Sequence, residues 1–241
     1  MARQRLDRIL VARGLVVTRS QAESYIRLGK VKVNTRTVMK AGALINDADA
    51  VELEVQEQYV SRAGLKLASV VMALQLDFVD KVVLDVGSST GGFTDYALRH
   101  GARKVIAVDI GTDQLHQSLR SNPKIELHEK TDIRDFRTRE QLDMVLADVS
   151  FTSLRELLPY VVKLSSPETD IVAMVKPQFE AAQNNIKHKG VIKNDHMRRD
   201  ILRDFEQWAR ERFVVVDKAD SAVPGEKGNR ERFYLLRFVA R

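Results

Sequence analysis

The sequence contains no cysteine. That absence excludes disulfides and thiolate zinc sites, and it fits a reducing compartment. The five histidines, His100, His116, His128, His188 and His196, are scattered, and no pair has the spacing of metal ligands. No metal is therefore expected. No apolar run approaches the roughly 20 residues that span a bilayer, and no long alternating stretch reads as a membrane barrel. The amino-terminal MARQRLDRIL is basic and amphipathic, without the uninterrupted apolar core or small-residue cleavage site of a signal peptide. These absences make a cytoplasmic protein with no membrane partner the expectation. Internal repeats and low-complexity tracts are missing too.

What is present is a globular composition, 44% hydrophobic and 30% charged over 241 residues, with an uneven charge distribution. Up to Ile45 there are ten bases and only two acids, Asp7 and Glu23, whereas the remainder carries 29 bases and 31 acids. All the excess positive charge sits in the first fifth of the chain. A field of that sign attracts polyanions, phosphate backbones first among them; a merely solubilising face is the alternative.

The same segment has a compact pattern. Leu6, Ile9, Leu10 and Val11 have helical spacing ending at Gly14, and Thr18 or Ser20 caps a second helix over about residues 19–28, closed by Gly29. Val31, Val33 and Val38 around Asn34, then Val51 to Val55, read as short strands. A polar stretch over 57–64 reads as a linker. From Leu65 onward, short β-branched runs (82–84, 105–108, 144–147 and 171–175) alternate with helices, one ending over Tyr96 to His100 and one over Leu154 to Leu164. Phe233 to Phe238 reads as a final strand closing the sheet. The expected organisation is a small α+β domain over 1–56 and a Rossmann-like, doubly wound α/β domain over 65–241.

Leu84-Asp85-Val86-Gly87-Ser88-Ser89-Thr90-Gly91-Gly92-Phe93 follows the first strand of that domain and opens a helix. Its glycines let the backbone turn tightly against a ligand at a helix N-terminus. It lacks the spacing of a nicotinamide fingerprint and the Lys of a Walker loop. Asp-x-Gly-x-x-x-Gly is instead the form found in methyltransferases that bind S-adenosylmethionine. Asp109 ends the second strand about twenty residues on, where an acid can accept ribose hydroxyls. Asp132 lies in the loop after the expected third strand, suited to an adenine amine, and Asp148 ends the next strand. Asp85, Gly87, Ser88, Gly91, Gly92, Phe93, Asp109, Asp132 and Asp148 are the candidate cofactor residues. Any one of the acids could be only a turn or cap, but four at successive strand ends share one crevice.

Two resemblances sharpen this reading. Arg5-Leu6-Asp7-x-x-Leu10, Thr18-Arg19-Ser20-Gln21-Ala22 and Ile26-Arg27-x-Gly29-x-Val31-x-Val33-Asn34 resemble the RNA-binding module of ribosomal protein S-four. Arg5, Arg19, Arg27, Lys30 and Lys32 are then the candidate RNA contacts, Arg19 and Arg27 being eight residues apart on one helical face. The following domain is similar to the ribose 2′-O-methyltransferases of the FtsJ type. With the module attached, the whole chain resembles the TlyA family of bacterial ribosomal RNA methyltransferases, often labelled haemolysin A. The resemblance is carried by residues 59–67, the glycine loop, Ala147-Asp148-Val-Ser-Phe151, Val175-Lys176-Pro-Gln-Phe-Glu180 and Gly228-Asn-Arg-Glu231-Arg-Phe.

The resemblance implies a Lys-Asp-Lys-Glu quartet at Lys66, Asp148, Lys176 and Glu231. Chemistry makes such a quartet sensible, because a ribose hydroxyl is a feeble acid that must lose its proton as it attacks the methyl donor. Lys176 is the candidate base, which burial and neighbouring positive charge would favour in its neutral form. Lys66 is placed to stabilise the developing alkoxide, with Asp148 and Glu231 orienting the ammonium groups. Base-nitrogen methyltransferases usually carry Asn/Asp-Pro-Pro-Tyr where this chain has Asp148-Val-Ser-Phe151, and Phe151 can either stack on a nucleobase or simply pack. A basic stretch over 187–203 is a second candidate RNA contact, or an exposed helix face. The implied substrate is cytidine in ribosomal RNA on ribosomal subunits; the little sequence beyond Arg237 leans towards a large-subunit form. The alternatives are a weakly catalytic ribosome-assembly factor and, suggested only by the haemolysin label, a pore former. Oligomeric state is not legible.

Overall fold

A computed structural model of the chain describes residues 3–55, 58–181, 190–225 and 228–238. The amino-terminal module runs β1 (Arg3–Arg5), α1 (Leu6–Ala12), α2 (Arg19–Arg27), β2 (Val31–Val33), β3 (Arg36–Thr37), β4 (Leu44–Asn46) and β5 (Val51–Leu53). Thr18 caps α2 in a reciprocal box, its side chain accepting from Gln21 N while the Gln21 side chain accepts from Thr18 N. Asn34 and Thr35 both take positive φ (47° and 66°), which turns β2 directly back into β3. β1 pairs with β4, and β2 lies between β3 and β5.

The second unit starts with α3 (Arg62–Val71), so the expected linker ends earlier than the sequence indicated. Tyr59 is buried, and its carbonyl accepts from Gln21 Nε2 at 2.7 Å, tying the connecting segment to α2. It packs because Tyr59 faces Tyr96 (ring centroids 5.2 Å apart) and because Gly64, where a Cβ would stand 2.6 Å from the Tyr59 side chain, leaves room for it. There follow β6 (Val82–Val86), α4 (Gly92–Arg99), β7 (Lys104–Val108), α5 (Gln117–Arg120), β8 (Ile125–His128), β9 (Met144–Ala147), α6 (Leu154–Val162), β10 (Asp170–Val175), α7 (Pro177–Glu180), α8 (Asp195–Arg210), β11 (Phe213–Asp220) and β12 (Arg232–Phe238).

One seven-stranded sheet, ordered β11-β12-β10-β9-β6-β7-β8, carries the site. β8, β7, β6, β9 and β10 run parallel; β12 is antiparallel to both its neighbours. Alternate residues of the parallel strands bury on opposite faces. Val83, Val105, Leu146 and Met174 join α3 and α4, whereas Leu84, Ile106, Val145 and Ala173 join α6 and α8. The expected final strand is present as β12. It fills a slot between β10 and β11, and β11 is the edge. The sequence of β11 reads weakly because Val214 and Val216 face solvent and a bulge interrupts pairing between Val215 and Asp217.

Candidate functional site

The parallel strands deliver their C-terminal ends to one crevice. After β6 the chain turns through Gly87 (φ +80°) and Gly91 (φ +87°) before α4 begins at Gly92. Glycine is required here on two counts. A Cβ on Gly87 would stand 2.6 Å from the Asp148 carbonyl oxygen, and one on Gly92 would stand 2.3 Å from Ser61 Oγ.

A cleft of about 460 Å³ opens beside this turn, lined by Gly87, Ser89, Asp109, Ile110, Asp132, Asp148, Ser150 and Phe151 among others. A smaller cavity of about 140 Å³ continues from it and is lined by Asp85, Ser88, Phe93, Lys176 and Ala63. Gly87, Ser89, Asp148 and Ser150 belong to both. Asp85, Asp109 and Lys176 thus open onto one continuous depression.

Asp85 is fully buried. Its Oδ2 accepts from Thr94 N (3.0 Å) and Thr94 Oγ1 (2.6 Å), while Oδ1 has no partner. Burial pushes this carboxyl up to about 7, against the Thr94 bonds and with help from the charge of Asp148. Ser88 Oγ is a second buried polar atom without a partner. Unpaired buried groups of this kind are costly and call for an explanation. Asp109 is held facing the cleft, Oδ2 accepting from Ser89 N at 2.8 Å and Oδ1 from Gly111 N at 2.6 Å. Each oxygen keeps a further lone pair for a ligand.

Asp132 lines the same cleft, but not as a free acceptor. Arg134 Nε bonds both its oxygens (2.9 and 3.0 Å), and these bonds lower its carboxyl. Asp132 thus reaches the cleft with a local arginine already engaging it. Phe93 is buried against Phe233 (ring centroids 6.0 Å apart) and forms a wall.

The quartet comes together as two ion pairs. Lys176 Nζ stands 2.6 Å from Asp148 Oδ1, and Lys66 Nζ stands 2.6 Å from Glu231 Oε2. Lys66, Lys176 and Glu231 are all buried. Lys66 comes from α3, Lys176 caps the start of α7 just beyond β10, and Glu231 immediately precedes β12. Burial raises the Glu231 carboxyl; Lys66 opposes that, Asp148 adds to it and Lys176 opposes it, so the two pairs share one field.

Three residues were missed. Ser150 Oγ accepts from Lys176 Nζ at 2.7 Å. Phe179 lies 5.5 Å from the Phe151 ring, and Phe151 itself is 93% exposed with a left-handed φ of 69°. An exposed aromatic in a strained backbone at a cleft mouth is the mark of a functional surface rather than of packing. Glu180, buried, accepts from Ser153 Oγ (2.6 Å) and Leu154 N (2.8 Å), tying the Lys176 loop to the Asp148–Phe151 loop. Ser150, Phe179 and Glu180 stand inside the two motif stretches, which is the only signal the sequence held for them.

In the amino-terminal module the basic residues divide. Buried Asp7 accepts from Arg5 Nε (3.0 Å), Arg5 Nη2 (2.8 Å) and Arg19 Nε (2.8 Å). Arg19 also reaches Glu23 at 3.6 Å, and Lys32 pairs with Glu54 at 2.6 Å. The expected clamp of Arg19 with Arg27 is therefore modified: Arg19 is oriented by Asp7, whereas Arg27 and Lys30 are exposed and have no ion pair among the described residues. The basic stretch over 187–203 falls partly outside the described residues. Within them, Asn194 caps α8, Arg198 is buried against Asp220 at 2.7 Å, and Arg203 pairs with Asp200 at 2.6 Å. Arg198 and Arg203 are thus engaged by neighbours within the protein.

Asp7 gives a stability prediction. Burial alone would raise its carboxyl, but the bonds and charges of Arg5 and Arg19 outweigh burial and hold it down at about 2. A folded value below the unfolded one stabilises the fold above about pH 4, and that contribution disappears as pH falls towards 2. We expect about 2 kcal/mol of acid-sensitive stability in denaturant midpoints measured from pH 5 to 2, absent from Asp7→Asn. Equal pH slopes in both proteins would contradict the network.

Among the described residues, no helix is long and apolar enough to cross a membrane, and no group of three or more acids or histidines could hold a metal. Comparison with known proteins places residues 59–238 in a match to the FtsJ-like methyltransferase model and residues 4–51 in a match to the S4 domain. The chain is 35% identical to the 16S/23S rRNA (cytidine-2′-O)-methyltransferase TlyA of Mycobacterium tuberculosis, over 98% of this chain and 90% of that one. It is 42% identical to the 23S rRNA (cytidine-2′-O)-methyltransferase TlyA of Campylobacter jejuni, over 77% of this chain and 74% of that one. A solved structure of a candidate hemolysin from Streptococcus thermophilus superposes with a TM-score of 0.72 at 33% identity, covering 99% of this chain and 90% of that one.

Proposed function

The chain belongs to the FtsJ-like methyltransferase family and carries an S4 domain at its amino end, and from that premise we propose that it methylates the 2′-hydroxyl of a cytidine in ribosomal RNA. The observation that carries the reading is the ion pair of Lys176 with Asp148 beside a cavity where Asp85 Oδ1 and Ser88 Oγ are buried without hydrogen-bond partners. Those atoms fit S-adenosylmethionine. Asp85 Oδ1 can accept from its ammonium and Ser88 Oγ can donate to its carboxylate, while Gly87 leaves no side chain between them and the larger cleft. The spare lone pairs of Asp109 suit the ribose hydroxyls, and exposed Ile110 beside it offers an apolar face to the base.

S-adenosylmethionine, when bound, supplies a methyl group on a positively charged sulfur that leaves as a neutral thioether. Lys176 would take the proton of the 2′-hydroxyl, leaving that oxygen an electron pair for the donated methyl group. Asp148 holds the resulting ammonium. Lys66, kept in place by Glu231, offers its hydrogens to the charge growing on oxygen. Phe151 with Phe179 provides a platform for the target base, and the S4 domain grips phosphates through Arg27, Lys30 and the oriented Arg5 and Arg19.

Both named relatives carry 23S rRNA in their names, so large-subunit RNA is the proposed substrate. Incubating ribosomal subunits with the protein and labelled S-adenosylmethionine should place label at a cytidine whose 3′ linkage becomes resistant to alkali. Label on a base, or none, would remove the reading; tight RNA binding without label would favour an assembly factor.

A further inference from the structure

We propose that Ser150 is a positioning residue for Lys176, aiming the lone pair of the amine into the reaction cavity. This deepens the reading of Lys176 as the base and rests on it. A neutral amine has two hydrogens and one lone pair. Two partners are at hand: Asp148, whose Oδ1 is in ion-pair contact at 2.6 Å, and Ser150, whose Oγ accepts a hydrogen bond at 2.7 Å. Both belong to the loop that follows β9, so the ion pair with Asp148 and the hydrogen bond to Ser150 hold the amine against the same wall. The lone pair is turned away from that wall, into the cavity that Lys176 lines.

Asp148 alone could not do this. An ion pair, which fixes no single N–H, leaves the amine free to rotate, and the lone pair sweeps a cone of which only part meets the sugar. A second acceptor removes that rotation, and orientation of reacting groups is worth a large share of a rate. The chemical type of the second acceptor matters as well. A hydroxyl orients the amine without adding another negative charge, which would favour the unreactive ammonium.

Placement supports the role. Ser150 lines both the larger cleft and the smaller cavity, and stands where the two join. It is exposed, so its side chain supports no core packing. Its neighbour Phe151 takes the left-handed conformation (φ 69°), and Glu180 fastens the far side of the loop to the segment carrying Lys176.

The test compares wild type, Lys176→Ala, Ser150→Ala and Ser150→Thr in single-turnover methyl transfer to ribosomal RNA. S-adenosylmethionine and RNA affinities and Tm are measured alongside. We expect Ser150→Ala to slow the chemical step about 10-fold with both affinities within twofold and Tm unchanged, and Ser150→Thr, which keeps the hydroxyl, to recover most of the rate. A merely structural serine would move Tm or binding instead, and that pattern would overturn the inference. So would a fully active Ser150→Ala, or a threonine variant as slow as alanine. If wild type transfers nothing, or Lys176→Ala remains fully active, the reading beneath it fails. If Lys176→Ala is inert while Ser150→Ala runs at full speed, only the role of Ser150 fails.

Discussion

Replacing Lys176 by alanine should slow methyl transfer by about 10²–10⁴-fold while leaving S-adenosylmethionine binding within a few-fold of wild type. The cleft is built from the segments after β6, β7, β8 and β9, so loss of a side chain at the end of β10 leaves most of its lining standing. The reaction loses its proton acceptor, and Asp148 loses its cation. Lys176→Arg separates two explanations of such a defect. Arginine keeps the positive charge beside Asp148 but does not give up its proton in proteins. A base at this position predicts that arginine is about as inactive as alanine; a purely electrostatic role predicts substantial rescue. The measurement is the single-turnover rate at saturating RNA and cofactor, with affinity determined separately, so that a binding defect is not read as a chemical one.

Asp85→Asn should do the opposite to two properties at once, stabilising the unliganded protein while weakening its hold on S-adenosylmethionine by about tenfold or more. The physical conflict lies in the folded carboxyl, pushed up to about 7 by burial with one oxygen left bare. A folded value above the unfolded one means that this group's contribution is fully present below about pH 4 and is lost as pH rises through 7. The shift corresponds to roughly 4 kcal/mol at most by pH 8. Asparagine removes the charge but leaves its own amide imperfectly paired, so a net gain of about 2 kcal/mol, or roughly 4–8 °C in Tm, is expected. Thermal scans at pH 8, together with calorimetry of cofactor binding, test both halves. An asparagine variant that is less stable yet binds normally would show that Asp85 serves the fold and not the ligand.

The parts legible in the sequence were those set by local chemistry. Thr18 and Gly29 sit where their capping and turning preferences put them, and the β-branched runs became buried parallel strands because both their faces are covered. What stayed hidden depends on partners far apart in the chain. Nothing local to residues 232–238 shows that they enter between β10 and β11, since that choice is made by pairing Val172 with Leu235 and Val215 with Leu236. The polar stretch around Tyr59 read as a linker because its packing comes from Tyr96 and Gln21. Arg5 and Arg19 read as free cations until Asp7 was found beneath them, and Asp132 as a free acid until Arg134 folded onto it. Lys66 and Glu231 were identified by resemblance alone; spacing carries no trace of a contact across 165 positions.

The interior position of β12 has a bearing on how the molecule is made. Until residues 232–238 leave the ribosome, the outer edge of β10 has no strand to pair with, and an open parallel edge invites association with other chains. Glu231 arrives with that same strand, so a growing polypeptide has Lys66 without its partner. The amino-terminal module is finished long before, by roughly ten seconds or more at ordinary elongation speeds. The amino-terminal module thus emerges well before the strand that brings Glu231 to Lys66.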